Sequence, residues 1–100
     1  MTVRYHPKAR TEVLEATQWY EERRPMLGAD FLTDVRRAEA RIAGRPTAWP
    51  RWPGVAMEVR RFKLARFPYC LAFQLTGGDI AVLAVAHQKR RPFYWVDRAK

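Results

Sequence analysis

Residues 69–87, YCLAFQLTGGDIAVLAVAH, contain two apolar segments joined by a Thr-Gly-Gly-Asp turn. Large side chains alternate with smaller ones along the first segment, which is typical of a half-buried β-strand. The second segment, Ile80 to His87, is apolar on both faces and is predicted to be the central strand of a sheet. Gly77 and Gly78 supply the positive φ angles that a two-residue hairpin turn requires.

This turn predicts the register of the hairpin and therefore the face on which each side chain lies. The large side chains of both strands should face the helices, and His87 should lie at the end of the opposite face, across from Pro68 and near Cys70. The predicted pairs are Leu75 with Ile80, Phe73 with Val82, Leu71 with Ala84, and Tyr69 with Ala86.

The segment before the hairpin predicts another strand, followed by a turn at Phe67-Pro68. Apolar side chains alternate from Val55 to Val59, and the alternation then changes phase, which predicts a bulge or strong twist near Arg61. Residues 46–54, PTAWPRWPG, form a loop because three prolines and a glycine prevent regular structure there. Trp49 and Trp52 are expected to pack this loop onto the body of the protein.

Two helices are predicted nearer the N-terminus, after a short strand at residues 3–5. The first runs from Lys8 to about Arg24, with Pro7 in its first turn and Pro25 at its exit. The second runs from about Gly28 to Ala43, and Gly44 is the expected C-cap. Apolar residues recur at helical spacing in both, so an antiparallel helical hairpin is expected. These residues are Ala9, Val13, Ala16, Tyr20, Phe31, Val35, Ala38 and Ile42.

Length, charge and cysteine count limit the class of protein. One hundred residues correspond to a single domain spanning 1–100, and the net charge of +9 favours anionic partners such as nucleic acid or an acidic protein. The only cysteine is Cys70, and the histidines show no metal-ligand spacing, so we expect no disulfide, metal or cofactor. The longest apolar run, Ile80 to Ala86, is far shorter than the roughly 18 residues that span a membrane. Because no secretory signal is evident either, a cytoplasmic protein without membrane contact is expected.

Three stretches, taken in order, resemble the RelE/ParE family of toxins from bacterial type II toxin–antitoxin systems, also called plasmid stabilisation proteins. They are EATQWYEERRPMLGADFL (15–32), VRRFKLARFPYCLAF (59–73) and VLAVAHQKRRPFYW (82–95). The resemblance covers nearly the whole chain. It implies an α+β fold in which an N-terminal strand precedes an α-helical hairpin packed on one face of a small, mainly antiparallel sheet, with a short C-terminal tail.

The resemblance also implies a function with several alternatives. Some family members cleave messenger RNA on the ribosome, as metal-independent endoribonucleases. Others poison DNA gyrase without nuclease activity, and a degenerate member would only bind its antitoxin. In each case a cognate antitoxin, usually acidic, wraps the toxin and forms a toxin–antitoxin hetero-oligomer. The target and the presence of enzymatic activity remain open at this point.

The family motif carries over to this chain only in part. Arg61 and Lys63 match a Lys-x-Lys pair, whereas Cys70 stands where the family has an arginine. Lys89 stands at a second arginine position, and Tyr94 lies one place before the position of the catalytic tyrosine. The candidate catalytic residues are His87, Arg61, Lys63, Lys89, Arg91 and Tyr94. The candidate nucleic-acid- or partner-binding residues are Arg60, Arg66 and Arg90.

Structural roles compete with these functional ones. His87 stands where the founding mRNA-cleaving member of the family has a glycine. Its imidazole can act as an acid or base, or it can have the structural role of capping the sheet edge. In the tail, Phe93 and Trp95 are expected to be buried on the sheet while the arginines clamp phosphate or carboxylate groups or remain solvated. Four helix cations are expected to be ordinary solvated positions: Arg23, Arg24, Arg36 and Arg37.

Overall fold

The computed structural model describes all 100 residues and has the predicted α+β architecture. The elements are β1 (Val3–Tyr5), α1 (Pro7–Arg23), α2 (Leu27–Gly44), β2 (Arg60–Lys63), β3 (Tyr69–Thr76), β4 (Asp79–His87) and a 3₁₀ turn (Val96–Arg98). The sheet has the order β1-β4-β3-β2, in which β1 runs parallel to β4 and the other neighbours are antiparallel.

The helical hairpin forms as predicted, with Pro7 in the first turn of α1. Both carboxylate oxygens of Glu21 cap the start of α2, accepting from the N–H groups of Met26 and Gly28 at 3.0 Å each. A Cβ on Gly28 would lie 2.7 Å from the carbonyl oxygen of Thr17, so only glycine allows α1 and α2 to approach this closely. The predicted cap at Gly44 is wrong, because Gly44 is the last helical residue and Arg45 follows as the cap.

The core has two layers, one on each face of the sheet. The helices cover the inner face, where Phe31 packs against the aromatic rings of Phe67 and Tyr69. The loop before β2 and the C-terminal tail cover the outer face, where Trp52 packs on the buried Trp95 at 5.2 Å. The prediction of a half-buried β3 is therefore wrong, since this strand is buried on both faces over residues 70–74.

The strand before the hairpin is shorter than its alternation predicted. Residues 55–59 cross the outer face as irregular chain, with Val55 and Val59 buried there, and β2 starts only at Arg60. The change of phase near Arg61 reflects the start of the strand and not a bulge, because β2 pairs with β3 without interruption. The loop prediction is confirmed, as Trp49 packs on Phe62 with ring centroids 4.7 Å apart.

A β-bulge lies instead in the hairpin. The turn at Gly77 and Gly78 has the predicted positive φ angles of 56° and 87°, and pairing follows the predicted register up to Phe73 and Val82. Beyond that point the register shifts by one residue, because Leu83 on β4 has no partner in the register. The pairs past the bulge are Ala72 with Ala84, Leu71 with Val85, Cys70 with Ala86, and Tyr69 with His87.

The bulge corrects the predicted position of His87. A one-residue shift exchanges the two faces of a strand, so Val85 packs with the inner core and Ala86 with the outer core. The ring of His87 accordingly packs edge-on against Tyr69, at a centroid distance of 5.0 Å, and lines a cavity beside α1. Neither α1 nor α2 combines the length and the apolar character that a membrane-spanning helix needs.

Candidate functional site: a basic cleft at the end of the sheet

The strand ends at β2 and β4, together with the tail, enclose a cleft of about 240 Å³, which we call the basic cleft. Four lysine and arginine residues line it and no carboxylate does, so its field favours an anion. Its lining residues are Trp52, Arg61, Lys63, Cys70, Ala86, His87, Gln88, Arg90, Arg91, Pro92, Phe93, Tyr94 and Trp95.

Most of the predicted catalytic side chains line this cleft. Five of the six do so, and Lys89 does not. Of the three predicted binding residues, only Arg90 borders it. The guanidinium of Arg60 instead donates to the carbonyl oxygen of Trp49 at 2.7 Å and pairs with Glu58, and Arg66 faces the carboxylate of Asp30 on α2 at 3.8 Å.

Aromatic rings form one wall of the basic cleft. The guanidinium of Arg61 lies 5.7 Å from the ring of Trp52, which in turn packs on Trp95. Phe93 adopts a left-handed backbone conformation with φ of 63°, a strained state for a bulky residue, and the residue is 38% exposed. The expected burial of Trp95 is confirmed, whereas that of Phe93 is wrong because this backbone turn leaves its ring at the rim of the cleft.

His87 joins the basic cleft to the cavity beside α1, since it lines both. Its Nδ1 accepts the backbone N–H of Lys89 at 3.0 Å, which fixes the ring and leaves Nε2 unengaged. That nitrogen is the one imidazole atom available for a proton transfer.

The hydroxyl of Tyr94 is not free for chemistry. It donates to Oε2 of Glu12 at 2.8 Å, while the guanidinium of Arg90 lies 3.8 Å above the ring. Burial and the Glu12 carboxylate raise the pKa of Tyr94 above its ordinary value. Tyr94 therefore keeps its proton at neutral pH and uses it to hold Glu12.

Cys70 is buried where the family resemblance leads one to expect an arginine. Burial raises the pKa of its thiol, and the nearby Arg61 and Lys63 lower it by less. The basic cleft thus has a neutral thiol at the position of an expected phosphate-binding cation.

Glu12 on α1 is the site residue that the sequence reading missed. Strand β1 ends at Tyr5, so the edge of β4 is uncovered beyond Val82, and Glu12 and Arg98 satisfy its backbone groups. Oε1 of Glu12 accepts the N–H of Val85 at 2.9 Å, and Arg98 donates to the carbonyl oxygen of Leu83 at 3.0 Å. Glu12 and Arg98 also form an ion pair at 3.2 Å, with side chains only 10% and 9% exposed.

A sequence signal for Glu12 did exist. It lies three residues after Ala9 and four before Ala16, both of which are buried, so it occupies the inner face of α1. An acidic residue on a buried helix face needs a partner, and its partners here are supplied by the tail. No group of three or more histidine, cysteine, aspartate or glutamate side chains is arranged to hold a metal ion.

No protein-family model and no curated protein matches this chain. Among solved structures, a chain described as "Chromosomal ParDE TA system from P. aeruginosa" superposes with a TM-score of 0.74 and 18% identity, covering 87% of this chain and 95% of that one. At this identity the likeness concerns the fold. The chain therefore has the ParE-like α+β fold that its sequence resemblance predicted.

Proposed function

We propose that this chain is the toxin component of a type II toxin–antitoxin system and that it acts by binding DNA gyrase. In this proposal the chain is cytoplasmic, and an acidic cognate antitoxin neutralises it within a hetero-oligomer. The ParE-like fold and the cation-rich, carboxylate-free basic cleft support the proposal.

One observation favours target binding over RNA cleavage: the hydroxyl of Tyr94 is engaged by Glu12 at 2.8 Å. Metal-independent RNA cleavage needs one group to deprotonate the 2′-hydroxyl, another to protonate the leaving oxygen, and cations at the phosphorane. With Tyr94 engaged and a neutral thiol at Cys70, the basic cleft retains its cations but has only His87 and Lys63 left as proton-transfer groups.

A second candidate function is ribosome-dependent cleavage of messenger RNA. His87 supports it, because its Nε2 is unengaged and the residue borders the same cleft as Arg61, Lys63 and Arg91. In this reading His87 transfers the proton and the three cations stabilise the phosphorane. Lys89 lies outside the lining and would contribute through its charge alone. A non-toxic antitoxin-binding module is the third candidate.

Controlled induction in a bacterial host separates these candidates. We expect growth arrest with an SOS response and intact transcripts, and the same phenotype from His87→Ala. Arrest with cleaved transcripts that His87→Ala abolishes would establish the nuclease reading instead. Soluble expression without arrest would leave the antitoxin-binding module.

The role of the basic cleft is tested in the same assay with a double variant. Arg61→Ala with Lys63→Ala removes two of its cations, and arrest should be lost because the cleft no longer attracts its anionic target. Arg23→Ala with Arg24→Ala removes the same charge from the exposed end of α1 and should leave arrest intact. Equal loss of arrest from both pairs would show that net charge matters and the cleft does not.

A further inference from the structure

A second basic surface lies in a groove between β2 and α2, which we call the α2–β2 groove. Arg61 and Lys63 of β2 border both this groove and the basic cleft. The α2–β2 groove encloses about 720 Å³ and is lined by four cations, Arg37, Arg41, Arg61 and Lys63, and by one carboxylate, that of the buried Asp34. The three exposed cations, Arg37, Arg41 and Lys63, form its rim. Trp49 and Phe62 form its floor. Neither the resemblance nor the proposed function assigns a role to Arg37 or Arg41.

The three rim cations form no ion pair within the chain, and the Asp34 carboxylate that shares the groove accepts the backbone N–H of Arg66. All are exposed, and the five ion pairs of the structure involve other arginines. Like charges held along one groove repel each other, so an anionic occupant would relieve this repulsion as well as form new pairs.

The backbone of β2 is open at the same place. Residues of an antiparallel strand alternate between facing the neighbouring strand and facing outward. Leu64 donates its N–H to Tyr69 of β3, and Arg61 donates outward to the carbonyl oxygen of Pro50, both at 2.9 Å. The backbone N–H of Lys63 therefore also faces outward. The loop that accepts the N–H of Arg61 does not reach Lys63, so the N–H of Lys63 has no backbone partner.

We propose that the α2–β2 groove binds an extended acidic segment of a partner protein. Carboxylates of that segment pair with Arg37, Arg41 and Lys63, and its backbone continues the sheet by bonding to Lys63. An antitoxin is one such partner, so for that partner the inference rests on the proposed function. The chemistry of the groove does not depend on which target the toxin attacks.

The floor of the groove favours a peptide over single-stranded nucleic acid. Bases bind by stacking on open aromatic faces. Here the ring of Trp49 packs edge-to-face on Phe62 at an interplanar angle of 80°, and the guanidinium of Arg41 lies 5.6 Å from the same ring. These contacts occupy the aromatic surface, whereas the strand edge at Lys63 is open to a peptide backbone.

Fluorescence anisotropy with a labelled ten-residue peptide of alternating glutamate and valine tests this proposal at physiological salt. Arg37→Glu with Arg41→Glu should weaken binding by at least about tenfold, since two attractions become repulsions. The matched control, Arg23→Glu with Arg24→Glu, makes the same change of net charge elsewhere and should alter binding by less than about threefold. Equal weakening by both pairs would overturn the groove as a site.

A second pair of variants tests the strand edge. Lys63→Pro and Lys63→Ala remove the same charge, but only proline removes the outward N–H. The proline variant should bind the peptide more weakly than the alanine variant, with both folded by circular dichroism. Equal binding by the two would refute strand addition at Lys63.

The remaining outcomes separate this inference from its alternatives. A single-stranded RNA decamer that loses affinity on Arg37→Glu with Arg41→Glu, while the peptide does not, would make the groove a nucleic-acid surface and overturn the proposal. Peptide binding at the groove without growth arrest on induction would refute the toxin function alone. Growth arrest, together with peptide binding that the groove variants do not change, would refute the groove as a binding site and leave the toxin function intact.

Discussion

Replacing Glu12 by alanine should be among the most destabilising single changes in this protein. The Glu12 carboxylate accepts from the N–H of Val85 at 2.9 Å, from the hydroxyl of Tyr94 at 2.8 Å and from Arg98 at 3.2 Å. It thereby links α1, the uncovered edge of β4 and the tail. A fourth contact, from the exposed Arg90 at 3.5 Å, is too long and too solvated to add much.

The expected loss in the free energy of unfolding follows from the buried groups that lose their partner when the Glu12 carboxylate is removed. Removing one partner of a buried ion pair costs about 3–5 kcal/mol, because the other charge stays buried and uncompensated. Arg98 retains its bond to the carbonyl oxygen of Leu83, which limits this cost, but the N–H of Val85 loses its acceptor. We therefore expect a loss of about 3–5 kcal/mol from a total of roughly 5–15 kcal/mol for such a domain.

Urea unfolding followed by circular dichroism measures this loss. With a slope of about 1.5 kcal/mol per molar urea, the midpoint should fall by about 2 M or more. Glu15→Ala is the matched control, since Glu15 is exposed on the same helix and makes no hydrogen bond or ion pair. Its effect should stay within about 0.5 kcal/mol.

Two further variants keep the prediction testable if Glu12→Ala does not fold. Glu12→Gln retains an oxygen for Val85 and loses only the charge, so it should cost about 1–3 kcal/mol. Combined with Arg98→Met, it should show a coupling energy of about 1–3 kcal/mol. An effect of Glu12→Ala no larger than that of Glu15→Ala would refute the linking role.

Other predictions concern packing and pH. Gly28→Ala should destabilise the chain by about 1–3 kcal/mol in urea unfolding, because its Cβ would meet the carbonyl oxygen of Thr17 at 2.7 Å. Gly44→Ala, whose Cβ would have no atom within 4 Å, should be neutral or stabilise by up to about 1 kcal/mol. Equal effects of the two variants would contradict the close approach of α1 and α2 at Gly28. Burial, with the nearby Tyr20, raises the pKa of Tyr69 to about 12, above its ordinary value of 10.0. The folded state therefore holds this proton more tightly than the unfolded state, so the contribution of Tyr69 to stability is complete below pH 10 and is lost as the pH rises through 12. Between pH 10 and pH 12, the loss of stability in thermal unfolding should be smaller for Tyr69→Phe than for the unaltered chain. Identical losses in the two proteins would rule out Tyr69 as a contributor to this pH dependence.

Local sequence patterns predict some features of the candidate site and miss others. The nuclease hypothesis from the sequence requires Arg61, Lys63, His87, Lys89 and Arg91 to converge on one patch. Four of these five residues line the basic cleft and Lys89 does not. The sequence reading placed His87 on the wrong face. It also treated Tyr94 as a free catalytic group, although Glu12, 82 positions earlier in the chain, engages its hydroxyl.

The sequence by itself determined the element types, the type of the hairpin turn and the net positive charge. Apolar periodicity, the positive φ of Gly77 and Gly78, and proline placement act over a few residues and do not depend on the rest of the fold. The three stretches at 15–32, 59–73 and 82–95 carried the resemblance that predicted the ParE-like fold.

Only the tertiary structure decided the side-chain faces beyond the bulge and the way the sheet edge is closed. Because β4 is apolar on both faces, it has no alternation that would reveal Leu83 as an extra residue, yet that residue moves His87 to the helix side. The end of β1 at Tyr5 leaves backbone groups of β4 without a strand partner, and buried backbone groups must be satisfied. Glu12 and Arg98 meet this requirement from opposite ends of the chain, a pairing that arises only once the chain has folded.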